Sequence, residues 1–297
     1  MLILAVLAAF LDTTVVMTRS IVVAPGESLA VAIAGAGKPV VFIPGLVGGL
    51  SGFRRVQLRA VEAGFQSVVV EPLGVGHSGR PRDADYSLTA QAERIATVLD
   101  SLGLGEAIVV AHSLGASIAF RLSLRRPELV AGIVSLDGGP AERAGTPGLR
   151  RAVSLAPLIR LLGGRRIIRG RVRDALVKGS ADPSWVTEEA VDAYVAGPAR
   201  DIGTTMHAYR RMVEAVEPES LSSRIRELSA PVVLLTGSVA HSGMVGPAEL
   251  EVLRTRLPAF SVEEVPGAAH YVHEERPESV VAVVARLAES RRVVVGR

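Results

Sequence analysis

The chain has 297 residues, 48% hydrophobic and 21% charged, which is enough apolar mass for a buried core and excludes a disordered chain. A net charge of only +3, aromatics at 4% and the lack of a basic stripe argue against a nucleic-acid partner. Cysteine is absent, so disulfides, thiolate metal sites and a cysteine nucleophile are excluded.

Met1 to Leu11 is almost wholly apolar but too short to span a bilayer, and it lacks the basic stretch that opens a signal peptide. Met17 offers a later start. The expectation is a cytoplasmic protein without a stable membrane span, with export through this segment as the alternative. Ile21-Val22-Val23 and Leu29 to Ile33 flank Pro25-Gly26 and read as two strands joined by a turn. Val40 to Ile43 is a continuous apolar strand that runs into Pro44-Gly45-Leu46-Val47-Gly48-Gly49. A helix over Arg54 to Ala63 ends at Gly64, and Ser67 to Val70 is the next buried strand. Ser87 caps a helix from Leu88 to Leu102.

Ile108 to Ala111 is a strand, His112-Ser113-Leu114-Gly115 a turn, and the helix that follows stops before Pro127. Val130 to Leu136 is another strand. From Gly138 to Arg226 the pattern changes to short helical stretches punctuated by Gly, Pro and Arg. This reads as a helical lid, with Arg165, Arg166, Arg169, Arg171 and Arg173 on a solvated face. The alternation then resumes with a strand over Val232 to Leu235, a helix over Pro247 to Arg256, a strand over Ser261 to Val265 and a helix over Pro277 to Ser290. Uniformly apolar strands alternating with helices predict an α/β fold with a mostly parallel, doubly wound sheet. The expected division is an apolar segment over 1–20, a first core part over 21–137, a cap over 138–226 and a second core part over 227–297.

Strand, sharp turn and helix, with Ser113 at the apex between small residues, is the context of a nucleophile elbow. The bland alternative is a serine capping an ordinary helix. Ligands in open parallel sheets bind at the strand C-terminal ends, and four such ends carry unusual residues: Pro44 to Gly49, Ser113, Asp137 and His270. A serine hydroxyl needs a base, and that imidazole needs a carboxylate. Ser113, Asp137 and His270 supply nucleophile, acid and base in that order. The Gly-rich loop lacks the lysine and Ser/Thr of a phosphate cradle. No His/Asp/Glu trio has metal-ligand spacing, so neither metal nor cofactor is expected.

These blocks resemble the α/β-hydrolase fold family, in its lidded esterase, lipase and haloperoxidase-like group, over Ile21 to Ala288. Ala111-His112-Ser113-Leu114-Gly115 is similar to the family's G-H-S-x-G, and Gly74-Val75-Gly76-His77-Ser78 to its G-x-G-x-S loop. Pro266 to Pro277 resembles the stretch carrying the catalytic histidine. Pro44 stands where the family usually has a histidine before the oxyanion-loop glycine, here Gly45, and Ala111 and Ala269 are mild departures. A larger one is the loop where the family's acid normally stands, here Gly237-Ser238-Val239-Ala240-His241-Ser242-Gly243, which has no carboxylate. Asp137 is the favoured acid, against a missing acid or a substitute such as Glu264.

By resemblance, the backbone N–H groups of Leu46 and Leu114 form the oxyanion hole. Gly45, His241 and Trp185 are expected to contact substrate, and Leu155, Leu158, Ile159, Leu162, Trp185 and Tyr194 to form an apolar lid pocket. His112 is expected to point inward, and His77, His207 and His273 to be loop or core residues. The expectation is a serine hydrolase for a small-molecule carboxylic ester or related acyl compound. The alternatives are a carbon–carbon bond hydrolase or perhydrolase on the same triad, or a binding protein on this fold without catalysis. Oligomeric state is not legible in the sequence.

Overall fold

A computed structural model describes residues 15–145 and 164–295. Its strands are β1 (Met17–Ala24), β2 (Glu27–Ala34), β3 (Lys38–Ile43), β4 (Phe65–Val70), β5 (Ala107–His112), β6 (Val130–Leu136), β7 (Val232–Gly237) and β8 (Phe260–Val265). They form one sheet in the order β1-β2-β4-β3-β5-β6-β7-β8. Only the β1–β2 and β2–β4 pairs are antiparallel; β3 to β8 run parallel. The α/β class and the mostly parallel sheet are therefore as the alternation predicts.

The described helices are α1 (Arg54–Glu62), α2 (Leu88–Ser101), α3 (Leu114–Arg125), α4 (Gly164–Lys178), α5 (Glu188–Ala196), α6 (Ile202–Glu214), α7 (Leu221–Arg224), α8 (Pro247–Arg256), α9 (Val272–Glu275) and α10 (Pro277–Val295). Ser87 caps α2 as expected, its side chain accepting from the Ala90 N–H. The described part of 138–226 holds helices and no strand. Leu155, Leu158, Ile159 and Leu162 lie outside the described residues. No described helix is long and apolar enough to cross a membrane.

Every residue of β5, β6 and β7 is buried, because helices cover both faces of the sheet. Alternate side chains sort to opposite sides. Val41, Val109 and Ile133 join the core beneath α2 and α3, while Phe42, Val110 and Val134 join a second core against α1 and α10. With the strands clamped on both faces, their C-terminal ends hold the following loops at fixed spacing.

Candidate active site

β5 ends at His112, and the backbone reverses at Ser113 with φ 53° and ψ −119° before α3 begins. Among the described residues, only Glu106, Ser113 and Asp137 combine a side chain with positive φ. Two of the three are the expected nucleophile and acid. Such a conformation costs on the order of 1–3 kcal/mol and persists only where the surroundings enforce it. They do so by close backbone packing. A Cβ on Gly115 would lie 2.4 Å from the Ile43 carbonyl oxygen, and one on Gly138 would lie 2.5 Å from that of Ser113. The first elbow glycine is dispensable here because the Ala111 methyl packs into the core beneath α2 and α3.

His270 lies on the loop after β8. Its N–H donates to the Gly179 carbonyl (2.9 Å), and its carbonyl accepts from His112 Nε2 (3.0 Å). His112 thus points inward, as expected, and holds the backbone at His270. Burial, reinforced by His273 and His270 nearby, pushes the His112 imidazole well below its usual range and keeps it neutral. Burial likewise pushes His273, whose ring centroid is 4.4 Å from that of His112, down to about 3. His77 and His207 make loop contacts, with the Glu71 carboxylate and the Arg82 carbonyl.

Asp137 is buried at the end of β6. Its Oδ1 accepts from the Thr236 hydroxyl on β7. Its Oδ2 lies 3.8 Å from His270 Nδ1 and 2.8 Å from His241 Nε2. The longer separation is within ion-pair reach and too long for a hydrogen bond; the shorter one lacks hydrogen-bond alignment. Glu264, the substitute acid, is exposed on β8.

Ser113, Asp137 and His270 line a single cavity of about 460 Å³, together with Gly45, Leu46 and Leu114. The Leu46 carbonyl is anchored by the Tyr209 hydroxyl of α6, and burial pushes that hydroxyl up and keeps it protonated. Sequence reasoning missed Tyr209 and Thr236, whose partners are 163 and 99 residues away along the chain.

Two expected substrate contacts lie elsewhere. Trp185 lines a neighbouring cavity of about 490 Å³ with Tyr194 and Glu274, its Nε1 donating to Ser180 Oγ. His241 does not line the Ser113 cavity; its side chain turns away from solvent and faces Asp137. The loop after β8 is also tied to the helical segment. Glu275 accepts from the Ala269, Ala181 and Asp182 N–H groups, and Tyr194 donates to Glu274. Burial pushes the Glu274 carboxyl up to about 7. Of the segment's arginines, Arg169 pairs with Glu188 and Asp192, and Arg173 with Glu188, all on the surface.

The geometry has parallels in known proteins. A family model described as alpha/beta hydrolase fold matches residues 38–155. A 2-hydroxymuconate semialdehyde hydrolase from Pseudomonas is 31% identical over 228 residues, covering 73% of this chain and 79% of the relative. A 2-(acetamidomethylene)succinate hydrolase from Mesorhizobium japonicum is 26% identical, covering 84% and 87%. Among solved structures, a thermophilic esterase from Thermogutta terrifontis superposes with a TM-score of 0.73 at 20% identity, covering 92% of this chain and 98% of that one.

Proposed function

The chain belongs to the α/β-hydrolase fold family, and from that premise we propose that it is a serine hydrolase of small carboxylic esters or related acyl compounds. Ser113 Oγ attacks the acyl carbon while His270 takes its proton. The Leu46 and Leu114 N–H groups receive the oxyanion, each contributing about 3 kcal/mol to the barrier reduction. Asp137 holds the His270 tautomer and stabilises the imidazolium. His270 then protonates the leaving alcohol, and water activated by the same ring releases the acyl group. Gly45 and the stretch over 138–145 border the acyl pocket.

The observation that carries this reading is the left-handed serine at the elbow, on one cavity with an imidazole whose Nδ1 lies 3.8 Å from a buried carboxylate. Labelling with a fluorophosphonate tests it. Wild type should label rapidly and Ser113→Ala not at all; an unlabelled folded wild type would favour a binding protein without catalysis. The likeness to a 2-hydroxymuconate semialdehyde hydrolase favours a second reading, hydrolysis of a carbon–carbon bond beside a carbonyl. A panel of esters set against β-diketones separates the two.

A further inference from the structure

We infer that Asp137, His241 and His270 form a binding site for a divalent transition-metal ion of borderline softness, such as zinc, and that its occupancy silences the hydrolase. The three residues leave the ends of β6, β7 and β8, so their spacing along the chain conceals them, but their ligand atoms all lie within 4.8 Å of one another. Zinc bonds of about 2.0–2.2 Å in tetrahedral geometry place neighbouring ligand atoms about 3.4 Å apart. The separations of 2.8 Å (His241 Nε2 to Asp137 Oδ2) and 3.8 Å (His270 Nδ1 to Asp137 Oδ2) bracket that value. Two imidazoles and one carboxylate are a donor set suited to zinc, cobalt or nickel, and unsuited to magnesium or calcium.

Hydrogen bonding supplies a second, independent argument. Asp137 Oδ2, His241 Nε2 and His270 Nδ1 are buried atoms without a hydrogen-bond partner, and the Asp137 and His241 side chains are 0% and 1% exposed. His241 Nδ1 lies 2.7 Å from the Val239 carbonyl oxygen, which can only accept, so that nitrogen carries the hydrogen. In the neutral ring, Nε2 then aims a lone pair at a carboxylate oxygen 2.8 Å away. A cation between them turns a repulsion into two bonds. The outer contacts are already those of a metal site: a carbonyl behind the His241 imidazole and the Thr236 hydroxyl behind the carboxylate.

Silencing rests on the function proposed above; binding does not. A metal on His270 Nδ1 separates that ring from Asp137 and withdraws electron density from it, so Nε2 no longer takes the Ser113 proton.

Zn2+ titrated into the purified full chain, followed by calorimetry and by ester hydrolysis, tests both parts. The expected result is one Zn2+ per chain, inhibition tracking occupancy and recovery with EDTA. His241→Ala should weaken Zn2+ binding on the order of 100-fold, with each variant's inhibition measured against its own EDTA-treated rate. Should that variant misfold, His241→Gln, which keeps a polar side chain without the imidazole, replaces it. No binding to wild type, or equal binding to wild type and variant, would overturn the site and leave a proton as the cation between His241 and Asp137. Binding without loss of activity would overturn the silencing. A wild type that binds Zn2+ but never hydrolyses or labels would count against the hydrolase reading alone.

Discussion

The loops after β6 and β7 leave neighbouring parallel strands and end beside the same imidazole, yet one carries a carboxylate and the other a histidine. β6 and β7 pair in register up to Leu136 and Leu235, so Asp137 and Thr236 stand side by side. Parallel strands lie about 4.8 Å apart, close enough that an acid on either can face a base on the loop after β8. On the proposed reading the acid stands after β6, where Asp137, with φ 46°, faces His270. On that reading, one unchanged sheet accommodates an acid after either strand.

The largest effect that can break this comparison is Asp137→Asn. The amide keeps the shape but cannot stabilise the imidazolium, so kcat should fall about 10⁴-fold with KM nearly unchanged. Steady-state kinetics reads this directly, and full activity in the variant would take the acid role from Asp137 with no carboxylate on the other loop to receive it.

A second effect must be removed before either loop is compared by pH. Glu274, four residues past the base, has its carboxyl raised to about 7 by burial, with the Tyr194 hydrogen bond opposing. The fold therefore holds a proton that the unfolded chain releases near its ordinary value, 4.5. Its contribution to stability is complete below pH 4.5 and disappears as pH rises to about 7. Glu274→Gln should thus gain on wild type across that window, by up to about 3 kcal/mol. Urea melts at pH 4.5 and pH 8 check it, and a constant difference between the two proteins would refute it.

The smallest effect sharpens the comparison from the β7 side. Thr236→Val removes the donor to Asp137 Oδ1 without changing side-chain shape. A hydrogen bond to a charged acceptor contributes about 1.5–3 kcal/mol, so kcat should drop about 10-fold or somewhat more with KM steady. An unaltered kcat would mean that Asp137 keeps its orientation without help from β7.

What the sequence revealed follows the same division between local and distant. Ser113 and His270 were legible because a strand, a tight turn and a helix each leave a mark within ten residues. Asp137 was legible as the favoured acid at a strand end, but not its distance from His270, which lies 133 positions away along the chain. The direction of His241 was not legible, because the contact of its Nδ1 with the Val239 carbonyl, which turns the ring toward Asp137, is invisible to spacing. Nor was the placement of Trp185: an apolar ring in a helical segment packs equally well against either of two cavities, and contact with Tyr194 and Tyr271 decides it.

The bond from the His270 N–H to the Gly179 carbonyl, with Glu275 gripping Ala181 and Asp182 alongside, has a mechanical consequence. The stretch over 179–182 is bolted to the very loop that aims the imidazole. Displacing that stretch breaks the His270 N–H bond to Gly179 as well, so the imidazole and residues 179–182 shift together or not at all.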